Sequence, residues 1–121
     1  MENAYRKLDV YTYAKELVKE VYLLIDKFPK YENYALGDQL RRAIVSVPSN
    51  IAEGLSRYSE KEKIHFIEIA YGSLMESQCQ LDIAKDLDYI TLEEFNAIDE
   101  QIIREAKILA GLRHSILKPK E

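Results

Sequence analysis

At 121 residues the chain is long enough for one domain with a self-sufficient core and too short for two. Apolar residues make up 47% and charged residues 31%, with four Gly, three Pro and no Trp, which excludes a disordered chain, and the single Cys79 excludes an internal disulfide framework. A net charge of −4 argues against a general nucleic-acid coat, since such binding rests on clustered Lys and Arg that neutralise phosphates.

The charge is uneven. Residues 1–63 carry eleven Lys/Arg against ten Asp/Glu, whereas residues 64–121 carry six against eleven. Arg41, Arg42, Arg57, Lys61 and Lys63 form the densest basic stretch, and acids gather from Asp82 to Glu100. Apolar runs are only a few residues long, and no apolar leader follows a basic stretch at the N-terminus. The expectation is a cytoplasmic chain that does not enter a membrane.

The first periodic stretch runs from about Val10 to Phe28, where Ala14, Leu17, Val18, Val21, Leu24, Ile25 and Phe28 recur at spacings of three and four, one apolar stripe on a helix. Asp9 is its expected N-cap and Pro29 its stop. Leu36, Leu40, Ile44, Val47, Ile51 and Leu55 mark a second helix, with an expected kink near Pro48, which removes an N–H and crowds the preceding turn. Gly54 suits a left-handed helix end.

Ser59 with Glu62 has capping-box spacing and opens a third helix whose stripe is Ile64, Ile67, Ala70, Tyr71, Leu74, Gln78, Leu81 and Ala84. Thr91 with Glu94 repeats the signal and opens a fourth, with Phe95, Ile98, Ile102, Leu109, Leu112 and Ile116 inward until Pro119. Connections of about seven, four and three residues suit antiparallel neighbours. The architecture expected is all-α, an antiparallel up-and-down four-helix bundle in one domain over residues 1–121.

Val45, Ile103, Ile108 and Leu117 lie beside the stripes, and Tyr5, Tyr11 and Tyr13 cannot share one helical face. Such surplus apolar surface points to self-association. Arg42, Ser46, Ser49 and Glu53 form a polar ladder opposite the second stripe, and Ser49 and Asn50 are placed to bond carbonyls freed by Pro48. Gly72 and Ser73 would admit a close neighbouring helix and let Glu76 reach Arg41 or Arg42 across the bundle or a subunit boundary.

The run Gln39 to Gly54, with its Arg41-Arg42, Pro48-Ser49-Asn50 and Ala52-Glu53-Gly54 elements, together with Tyr71 to Glu76 and the Phe28-Pro29 stop, resembles the four-helix-bundle family encoded by intervening sequences in bacterial large-subunit ribosomal RNA genes. That family is similar to the accessory variability protein of diversity-generating retroelements, a basic, pentameric bundle that partners a reverse transcriptase and binds nucleic acid. The resemblance implies a cytoplasmic homopentamer with no enzymatic reaction and no cofactor. Pro48, Ser49, Asn50, Glu53, Gly54, Gly72 and Glu76 are the structural signature positions. Some members carry a ribosomal-protein label that follows gene position.

Chemistry is sparse. Glu62 and His65 have Glu-x-x-His spacing, but Gly111 stands where His114 would need its Glu, so no second half of a dinuclear metal site exists. Cys79 is expected to be a small buried thiol. No phosphate-cradling glycine loop or nucleophile elbow is present, and no metal or catalytic residue is assigned. The function expected is a non-catalytic, self-assembling bundle that acts as an RNA- or DNA-binding accessory to the ribosome or a reverse transcriptase, with Arg41, Arg42, Arg57, Lys61 and Lys63 on phosphates as they flank the turn between helices two and three. The alternative is a protein-binding scaffold whose acidic segment from Asp82 to Glu100 meets a basic partner protein.

Overall fold

A computed structural model describes residues 4–119. Four helices carry the chain: α1 (Asp9–Ile25), α2 (Leu36–Leu55), α3 (Glu60–Asp86) and α4 (Leu92–Leu117), with 3₁₀ turns at Ala4–Lys7 and Lys30–Glu32. Among the described residues each helix packs on its sequence neighbours, α1 closes against α4, and no diagonal pair touches. That is the four-cornered, up-and-down arrangement expected.

The two ends of the bundle follow from its contacts. At one end the Phe28 ring lies 5.5 Å from Tyr89, and Lys27 forms an ion pair with Glu94, so the α1–α2 and α3–α4 connections meet there. At the other end Tyr58 and Lys63 share a cleft with Ser115 and Lys118, so the α2–α3 turn sits beside the end of α4.

The core is the union of the four stripes. Leu17, Val21, Leu40, Ile44, Val47, Ile51, Leu74, Leu81 and Ile102 are fully buried, and Ile98 and Leu109 nearly so. The buried line of α3 is Ile67, Ala70, Leu74, Ser77, Leu81 and Ala84, which moves Tyr71 to the outside at 41% exposure. Gln78 is half-buried and donates to the Asp99 carboxylate at 2.8 Å, tying α3 to α4.

The helix ends differ from expectation in instructive ways. Leu8, not Asp9, holds the cap position of α1 and makes no side-chain bond; Asp9 is the first helical residue, where its charge faces the positive end of the helix. α1 ends at Ile25, and Phe28 turns back into the core. The Ser59 hydroxyl accepts the Glu62 N–H at 3.0 Å, while the full reciprocal capping box forms only at Thr91 and Glu94.

Gly54 is not a left-handed cap, because α2 continues through it to Leu55 and no glycine has positive φ. The left-handed residue is Asp88, at φ 61° after α3. There the Tyr89 N–H bonds the Ala84 carbonyl at 2.9 Å and the Asp88 N–H bonds that of Lys85 at 2.9 Å, the paired bonds of a Schellman motif.

Of the three N-terminal tyrosines, Tyr5 and Tyr11 stack edge-on at 4.9 Å and Tyr13 lies 3.8 Å beneath the Arg104 guanidinium. Contacts inside the chain account for all three. Val45, Ile103 and Leu117 are exposed as the sequence suggested, whereas Ile108 packs against the core.

Candidate nucleic-acid interface

The five basic positions do not form one patch. Arg57, Lys61 and Lys63 flank the α2–α3 turn, but Arg41 and Arg42 stand near the start of α2, some 20 Å away at about 1.5 Å per residue. Arg41 is committed to structure: its guanidinium donates to the Asn33 backbone carbonyl at 3.1 Å and to the Asn33 side-chain oxygen at 2.6 Å, fastening the α1–α2 connection. Arg42 is exposed and pairs with Asp38 one turn earlier at 2.8 Å.

At the α2–α3 turn, Arg57 lies with its guanidinium carbon 5.1 Å from the Phe66 ring centre and reaches Glu53 at 3.6 Å. Lys61 and Lys63 form no ion pair among the described residues. Charge around them is positive on balance. In residues 4–9, 53–66 and 111–119, which build this end, seven Lys/Arg face four Asp/Glu; in residues 25–38 and 82–94, which build the other, three face eight. The acidic end is partly self-neutralised, since Lys85 meets Asp82 at 2.6 Å and Asp86 at 3.6 Å, which holds the Lys85 ammonium above its usual range. Glu94 is held below the usual carboxylate range by Lys27 and the Thr91 backbone.

The remaining signature residues of α2 knit it to α3. Ser46 and Ser73 hydroxyls meet at 2.9 Å, and the Asn50 amide donates to both the carbonyl and the hydroxyl of Ser46 at 2.8 Å. Ser49 donates to the Val45 carbonyl at 2.8 Å. Both side chains bond carbonyls near Pro48, though not that of Ile44, the one proline leaves free. Gly54 is buried and admits Phe66, while a Cβ at Gly72 would meet nothing within 4 Å, so Gly72 makes no close helix contact inside the chain. Glu76 takes a hydrogen bond from Gln80 at 3.2 Å; it shares a cleft of about 300 Å³ with Arg42 but pairs with neither arginine.

The chain is matched over residues 6–111 by the model of the 23S rRNA-intervening sequence protein family. The chain belongs to that family. A crystal structure of a protein with unknown function from the S23 ribosomal protein family of Bacteroides thetaiotaomicron superposes with a TM-score of 0.80 at 21% identity, covering 86% of this chain and 97% of that one. At that identity the likeness speaks for the fold. No curated protein matches the chain significantly.

The family match takes in the α2–α3 turn and runs to Gly111 in α4. Among the described residues no group of His, Cys, Asp and Glu is placed to hold a metal, and no helix is long and apolar enough to cross a membrane. Cys79 is exposed, not buried, because it falls outside the buried line of α3.

Sequence reasoning passed over one feature. Glu105 is wholly buried between Ile102 and Leu109 on the inner line of α4, and neither carboxyl oxygen has a hydrogen-bond partner. Burial pushes its pKa up to about 8, against the pull of Arg104. The three-and-four spacing that runs 98, 102, 105, 109 would have found it; polarity alone hid it. At the acidic end the Tyr89 hydroxyl, 3.3 Å from that of Tyr31 and donating to Glu32 at 2.7 Å, has its pKa raised by both.

Proposed function

We propose that this intervening-sequence protein is a non-catalytic, cytoplasmic, self-assembling bundle, built as a pentamer, that serves as a nucleic-acid accessory module. The observation that carries the nucleic-acid reading is the segregation of charge between the two ends. α3 is 27 residues long, which at about 1.5 Å per residue puts the ends about 40 Å apart. Salt screens charge over about 8 Å at physiological ionic strength. A phosphate at the α2–α3 turn therefore senses Arg57, Lys61, Lys63 and Lys118 and not the acids beyond α3, so the net charge of −4 does not decide local affinity.

Assembly draws on the outward side chains Val45, Ile69, Ile83 and Ile103, each more than a third exposed. A bend at Pro48 shapes the same side of α2, and Pro48→Ala changes the solution mass if that face is a subunit contact. The deciding experiment is titration of the protein into labelled structured RNA and single-stranded DNA at low and physiological salt, with solution mass measured in the same buffers. Salt-steep binding by an oligomer, weakened when Arg57, Lys61 and Lys63 are replaced together, supports the reading; a monomer without affinity at either salt rejects it.

A second reading is a scaffold for a basic partner protein. It is favoured by the groove of about 380 Å³ between α1 and α4, where the 62%-exposed Leu23 and Ala97 sit beside Glu20 and Glu94. Neutralising Asp86, Asp88, Glu93 and Glu94 would then release the partner.

A further inference from the structure

We infer that the basic end of the bundle takes single-stranded nucleic acid, with an unpaired base stacked on Tyr58 and its phosphate held by Lys63 and Lys118. The inference rests on the nucleic-acid reading above and names its ligand class and contact residue.

Tyr58 is the most exposed large hydrophobic residue of the bundle, at 102% of its reference area. Its ring makes no aromatic or hydrogen-bond contact among the described residues, in contrast to Tyr5, Tyr11, Tyr13, Tyr31 and Tyr89. Nothing in the packing of α2 against α3 calls for an aromatic there; the turn from Ser56 to Ser59 would close equally well with a small polar residue. The ring forms one wall of a cleft of about 350 Å³ whose other walls are Glu60 and Lys63 from α3 and Ser115, Ile116, Lys118 and Pro119 from the end of α4 and the residues just past it. Lys63 on α3 and Lys118 just past α4 thus line the same space as the exposed ring, with the Ser115 hydroxyl beside them.

That combination is how single strands are held: cations track the backbone while aromatic rings stack on bases, a contact every base can make through its π-face. A duplex offers the ring nothing comparable, because its bases are stacked on one another and a lone side chain reaches only their edges. Glu60 lines the same cleft, so a phosphate there meets one carboxylate beside the two lysines, and the stacked base has to supply part of the affinity.

The test is fluorescence anisotropy of the full chain with labelled single-stranded oligouridine, single-stranded DNA and a duplex of equal length. Single strands should bind more tightly than the duplex, and Tyr58→Ala should weaken single-strand binding at least about fivefold, the low end of a base-stacking contribution, while Tyr58→Phe retains it. Lys63→Ala with Lys118→Ala should lower the salt slope by about 0.7 for each phosphate that is no longer neutralised. Equal affinity for duplex and single strands with no effect of Tyr58→Ala overturns the inference and leaves the nucleic-acid reading standing. If Tyr58→Phe is as weak as Tyr58→Ala, the hydroxyl and not stacking is responsible, and the inference also falls. Absence of binding to any of the three nucleic acids overturns both. Because Tyr58 packs on nothing, its variants should keep the wild-type unfolding midpoint, so weakened binding cannot be mistaken for an unfolded chain.

Discussion

Gly54 lies directly against Phe66: a Cβ on Gly54 would stand 2.9 Å from the Phe66 Cβ and 3.3 Å from the Lys63 carbonyl oxygen. Since a carbonyl and a backbone-anchored Cβ cannot swing away, Gly54→Ala should push α3 off α2 and destabilise the fold by about 1–3 kcal/mol, as overpacking does. Gly72→Ala meets open space and should stabilise by about 0.5–1 kcal/mol through the better helix propensity of Ala. Urea unfolding of the two variants should give shifts of opposite sign; a common sign refutes the assignment of Gly54 to packing.

Asp88 holds a left-handed conformation at φ 61° without the freedom of glycine. Asp88→Gly should relieve about 1 kcal/mol of that strain while keeping the paired backbone bonds that end α3. A raised midpoint in chemical denaturation checks it, and an unchanged or lower one says the Asp side chain stabilises the turn.

Glu105 makes stability depend on pH in a predictable direction. Its pKa is raised to about 8 in the fold from an ordinary 4.5, so the folded state favours the protonated acid. Its contribution is complete below pH about 4.5 and is lost as pH rises to about 8, amounting to roughly 3 kcal/mol between pH 4.5 and 7. Glu105→Gln cannot ionise and should remove that slope, which unfolding curves across the range would read directly. Parallel pH profiles for the two proteins would show that the carboxyl is not the titrating group.

Arg41 serves the α1–α2 connection through its two bonds to Asn33. Arg41→Ala should cost about 1–2 kcal/mol of stability. Its effect on binding of a single-stranded oligonucleotide should be negligible, in contrast to the triple replacement of Arg57, Lys61 and Lys63. Equal losses from both would place phosphate at the acidic end as well.

The four helices were legible because burial of one stripe per helix dominates this fold, and the sequence writes each stripe at spacings of three and four. What escaped were positions where residue type and role part company. Gly54 carries the residue of a turn but serves close packing, and Asp88 makes the turn with a residue that prefers others. Glu105 sits at a core position with a polar side chain. The basic residues were legible as a set of positions but not as a surface, since spacing along α2 says how far Arg41 stands from Arg57 only once the turn is placed. Tyr58 gave no sequence signal at all: an aromatic in a short turn reads the same whether it packs inward or projects into water.

The opposed charges of the two ends would also set a direction of approach for the proposed partner. Under the proposed nucleic-acid reading, a polyanion drawn to the basic end would meet the bundle with the helix axes pointing at the strand, and the flanks bearing Val45, Ile69 and Ile103 would stand sideways to the encounter. Copies can pack flank to flank while their like ends all present to one side. A ring built in this way would be two-faced, with one rim attracting a strand and the other repelling it, so a strand would engage such a ring from a single side.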